Sequence, residues 1–205
     1  MKERKETISI TKANIWSFGL IAAAALVGTP YYMIVARLMG RPIQWSHFFD
    51  FFNSDHPVAL PMLGYMISFW LLIIGGVVVH ELVHGITWAL CSPKGWRSIS
   101  FGVMWKMLTP YCHCSVPLKR NHYIIGGLMP LFVVGLLPLL VAPFVDSLAL
   151  FVFGLIYVGG AAGDLMVVFR LCKEDPASTI LDHPTEAGYL VYEEENGEGC
   201  DKHPL

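Results

Sequence analysis

The run Val77-Val78-Val79-His80-Glu81-Leu82-Val83-His84-Gly85 sets two imidazoles and a carboxylate inside a long apolar stretch. On an α-helix, residues four apart lie about 40° apart around the axis, so His80 and His84 share a face and Glu81 stands one step round it. This is the HExxH pattern. Two neutral imidazole nitrogens suit zinc, and a carboxylate beside them is placed to take a proton from a water that attacks a carbonyl. A helix is predicted here, because residues 77–90 contain no proline and continue a long apolar pattern. The plain alternative is a pair of interfacial histidines at a membrane-helix end. Three ionisable groups within five residues at membrane depth, each costing roughly 3 kcal/mol to insert, favour metal binding instead.

A catalytic zinc usually takes three protein ligands and leaves one position open. The extended pattern HExxHxxGxxH is absent, since its glycine and third histidine would fall at Thr87 and Leu90. Asp164 is the best remaining candidate, lying in Tyr157-Val158-Gly159-Gly160-Ala161-Ala162-Gly163-Asp164 as the only acidic residue inside an expected span besides Glu81. It should lie roughly 10 Å from the end of that span, a depth that agrees with the histidines. The small residues before it allow close helix approach in a membrane. His47, His56 and Asp146 fall toward the opposite side, and Asp175, Asp182 and His183 lie beyond the last span, so all are weaker candidates.

These residues need a frame that holds them in lipid. Of the 205 residues, 55% are hydrophobic and only 15% are charged, and the mean hydropathy is +0.54. Soluble domains carry about one-quarter charged residues, so the chain reads as an integral membrane protein. A net charge of -2 without a basic stripe excludes nucleic acid as a partner. Apolar runs of bilayer-crossing length cover about 15–39, 59–91, 123–145 and 148–171. The second is interrupted by Gly75-Gly76, and its end should project toward the interface. The expectation is an all-α integral membrane protein of about four transmembrane helices, forming one domain over 1–192 with a short acidic tail at 193–205. A cleaved signal is not expected, because apolar residues continue through Tyr31 to Val35 where a polar cleavage region would stand. Lys and Arg cluster before the first span, between the second and third, and after the fourth. The bias predicts a multi-pass protein of the cell membrane with both termini and the central connection in the cytosol. All five cysteines would then face a reducing compartment.

In the central connection, alternation over Ser98 to Lys106 suggests a strand, and Pro110 and Pro117 bound a second short segment. A small hairpin or re-entrant loop is expected between the second and third spans, where exposed backbone could pair with an extended peptide. Along a strand, Cys112 and Cys114 would share one face and His113 the other, which favours packing over a second metal site. No single oxyanion donor stands out; His113 and His122 are the candidates.

HELVHG, LTPYCHCSVPLKRNHY, GGAAGD and LDHPTEAGYLVY together resemble the bacterial putative zincin peptidase family over about residues 69–192. More distantly, the plan is similar to site-2 proteases, intramembrane zinc peptidases, although their LDG-type pattern is reduced here to Gly163-Asp164. The resemblance implies His80, His84 and Asp164 as zinc ligands and Glu81 as general base. The expected function is hydrolysis of peptide bonds in a membrane or membrane-proximal protein. The alternative is a noncatalytic metal-binding membrane protein, a transporter or adaptor. Transport would favour ionisable residues spread across membrane depth, whereas here they gather at one level.

Overall fold

The computed structural model describes residues 2–41, 59–105, 109–183 and 188–193. His47, His56, Pro184 and the acidic tail beyond Glu193 lie outside the described residues. Five helices run in chain order: α1 (Ile10–Leu38), α2 (Ala59–Cys91), α3 (Arg120–Val141, with a π-helical segment at Leu131–Leu136), α4 (Leu148–Gly160) and α5 (Ala162–Leu171). Three are long and apolar enough to cross a membrane, and a fourth crossing results if α4 and α5, bent by 42°, are taken as one span. Phe18, Leu26, Leu38, Ile74 and Leu90 point outward with most of their surface exposed. An apolar exterior of that extent fits lipid rather than water.

The expectation of an all-α protein is overturned by two antiparallel sheets. The first contains β1 (Lys2–Thr7), β4 (Leu118–Lys119), β5 (Thr179–Asp182) and β6 (Gly188–Glu193) in the order β1-β6-β5-β4. The second is the hairpin of β2 (Ile99–Met104) and β3 (Thr109–Cys114). That hairpin stands where the alternation and the prolines place it. The four-stranded sheet was hidden because its strands come from distant parts of the chain. β1 reads KERKET and resembles a charged tail, and only its pairing with β6, Lys2 opposite Glu193 through Thr7 opposite Gly188, makes it a strand. Backbone hydrogen bonds to a partner that far away leave no local signature in a polar segment.

One face of the sheet closes over the helix ends. Leu118, Ile180, Tyr189 and Val191 are buried there with Trp88 of α2, Tyr123 of α3 and Leu171 of α5. Arg170, in the last turn of α5, donates to the Glu6 carboxylate at 2.9 Å and to the Thr7 carbonyl at 2.8 Å, while Arg4 pairs with Glu174. These contacts fasten β1 to the end of the helix that carries Asp164. At the other end, Asp146 takes a left-handed conformation (φ 55°) and the Ser147 hydroxyl accepts the Leu150 N–H, giving a tight turn into α4.

The hairpin packs on α2 through Gly85. A Cβ at that position would lie 2.6 Å from the Phe101 ring and 3.1 Å from Ile99 Cγ2. The glycine after the second histidine therefore lets the sheet reach the helix that carries the motif.

Candidate metal centre and active-site cavity

The four-residue spacing on α2 brings the His80 and His84 rings to 5.0 Å between centroids. Both imidazoles are buried. Asp164 enters from the first turn of α5, just past the bend at Gly160. Its Oδ2 lies 3.1 Å from His80 Nε2 and its Oδ1 3.5 Å from His84 Nε2. One ligand atom from each of the three residues falls within 4.8 Å of the others, the only such grouping among the described residues. Two imidazole nitrogens and one carboxylate oxygen converging beside an open cavity are the donor set of a three-ligand zinc site.

His84 is held on its far side as well. Its Nδ1 lies 2.9 Å from the Gly126 carbonyl oxygen of α3. A carbonyl only accepts, so Nδ1 carries a proton and Nε2 is the nitrogen turned toward Asp164. The ring also stacks on Trp88, with centroids 5.1 Å apart and planes inclined by 20°. Trp88 Nε1–H in turn donates to the Tyr123 carbonyl at 3.2 Å.

Glu81 looks onto the outer edge of β3. The Ser115 N–H donates inward to the Ser98 carbonyl at 2.8 Å, so the alternation of the strand turns the Cys112 and Cys114 N–H groups outward. The Cys112 N–H meets the Glu81 carboxylate. The Cys114 N–H donates to Asp182 Oδ2 at 3.1 Å. Asp182 also accepts from the Tyr123 hydroxyl and lies 3.6 Å from His113 Nδ1. Hydrogen bonding to that carboxylate lifts the His113 imidazolium above its ordinary range, against a smaller opposing effect of burial. Burial pushes the Cys112 and Cys114 thiols up, and both pack in the core with Trp88.

His80, Glu81, His84 and Asp164 share a cavity of about 520 Å³ with Cys112, His113, Asp182 and, from the start of α1, Asn14. The sequence model of the putative zincin peptidase family matches residues 73–179, just over half of the chain. The chain belongs to that family. No curated protein and no solved structure matches it. The matched region of this zincin family member runs from α2 to the start of β5 and contains all four of these residues.

The structure brings together His80, Glu81, His84 and Asp164 as the sequence reading grouped them. Of the two oxyanion candidates, His113 lines the cavity and His122 does not. Three features escaped the sequence reading: the Gly126 carbonyl, the Trp88 indole stacked on His84 and held by the Tyr123 carbonyl, and Asp182 as the link between β5, β3 and α3. The motif Leu181-Asp182-His183 carried the last of these, but only the strand pairing shows what its carboxylate reaches.

Proposed function

We propose that this chain is a membrane-embedded zinc metalloendopeptidase, one unit over residues 1–192, that hydrolyses peptide bonds of a membrane or membrane-proximal protein. The observation that carries the reading is the convergence of His80, His84 and Asp164 on one point beside Glu81, within a family of zincin peptidases. Zinc, when bound, supplies Lewis acidity to the scissile carbonyl and brings a water's pKa toward about 7. His80 and His84 would hold the ion through Nε2 and Asp164 through a carboxylate oxygen. Glu81 takes the proton of the attacking water and passes it to the departing amine. His113, which lines the cavity with Nδ1 turned to Asp182, would donate through Nε2 to the carbonyl oxygen as charge builds there.

The family of zincin peptidases supports a polypeptide substrate. The apolar helices support a multi-pass location in the cell membrane. The clusters of Lys and Arg support cytosolic termini and a cavity open to that side.

Two carboxylate variants test the reading on full-length protein in detergent, with fluorescein-labelled casein as an unfolded substrate. Wild type is expected to hold about one zinc per chain, the count for a single three-ligand site. Glu81→Gln should keep that zinc and lose about 10²-fold or more in turnover, because an amide cannot accept the proton. Asp164→Ala should lose zinc and turnover together. Wild-type turnover in Glu81→Gln would refute hydrolysis and leave the noncatalytic metal protein, while full zinc in Asp164→Ala would remove that ligand.

A further inference from the structure

His84 owes its orientation to a carbonyl that a regular helix would not offer. In an α-helix the carbonyl of residue 126 is taken by the N–H of residue 130. Residue 130 is proline and has no N–H. The next donor, the Leu131 N–H, turns to the Leu128 carbonyl. The Gly126 oxygen is thus released from the ladder of α3, and it lies 2.9 Å from His84 Nδ1. Residue 126 must also bring its backbone against α2. A Cβ there would overlap the Trp88 indole nitrogen, the same Trp88 that stacks on His84. Pro130 is fully buried, so solvent does not compete for the released oxygen through that side.

We propose that Gly126 and Pro130 are positioning residues for the metal centre: the proline frees the glycine carbonyl, and that carbonyl fixes His84 with Nε2 toward the ion. The inference rests on the metal-binding part of the reading above and is independent of hydrolysis. Partners of this kind typically change metal affinity 10–100-fold when removed.

Pro130→Ala is the informative variant, because alanine restores an N–H that competes for the Gly126 oxygen while being a far better helix former than proline. Zinc affinity of the full chain in detergent, measured against a competing chelator, should fall about 10-fold or more, with the melting temperature unchanged or raised. A residue that merely shapes α3 would not give that combination. In parallel, nitrogen NMR of the zinc-loaded wild type should show His84 protonated at Nδ1 and bound through Nε2, and in Pro130→Ala a mixture of the two modes. Unaltered affinity with an unaltered tautomer in Pro130→Ala would overturn the device and leave the metal site standing. Should that variant fail to fold, a zinc-loaded wild-type His84 bound through Nδ1 and protonated at Nε2 would overturn it alone, and binding through Nε2 with the proton on Nδ1 would uphold it. Failure of wild type to bind zinc would overturn the metal-site reading and this inference with it.

Discussion

Asp182 and His113 show how two residues outside the HExxH motif are drawn into its chemistry. If His113 donates to the developing oxyanion, His113→Ala should lower kcat on labelled casein by about 10²-fold, the cost of one such donor. Its zinc content and KM should hardly move, and an unchanged kcat would exclude the role. The pair also has a pH signature. His113 is raised above its ordinary value of 6.5 by Asp182, so its charged form contributes stability that is complete below about pH 6.5 and fades as pH climbs through the raised value. Melting curves of wild type and Asp182→Asn should therefore differ most at acid pH and converge as pH rises. They should not coincide, because Asp182 also holds the Cys114 N–H and the Tyr123 hydroxyl. A gap that widens with pH would contradict the assignment.

At the scale of elements, α2 offers a paired test within one helix. Gly85→Ala should cost about 1–3 kcal/mol through overlap with Phe101 and Ile99. Gly75→Ala meets nothing within 4 Å and should be neutral or stabilise by about 0.5–1 kcal/mol, the helical preference for alanine. Thermal unfolding in detergent reads both, and equal effects would mean that Gly85 is not a contact glycine. The same helix shows what was legible in the sequence. His80, Glu81 and His84 stood out because a 3.6-residue period and an apolar setting make their spacing meaningful, and Asp164 because lipid makes any buried acid conspicuous. Gly126-x-x-x-Pro130 was equally open to inspection, yet a proline missing from one hydrogen bond gains meaning only when a neighbouring helix supplies the donor. β1 and β6 were illegible for a different reason: paired strands far apart in sequence are specified by each other.

For the whole molecule, the proposed orientation is testable at Cys172, which is exposed just past α5. In a Cys91→Ser, Cys200→Ser background, a membrane-impermeant maleimide should label it in inverted vesicles and not in intact cells; the opposite result would reverse the topology. The four-stranded sheet also imposes an order in time. β1 leaves the ribosome before all five helices, and its partner β6 follows them, with Lys2 opposite Glu193. The helices can insert one after another while β1 waits, because pairing between segments so distant is slow and entropically costly to begin. Gly188 at the start of β6 and Ile8 just after β1 both line the cavity. The wall around Glu81 is thus completed only when synthesis of the matched region is over, so a nascent chain carries its metal ligands through translation without a finished cleft in which to use them.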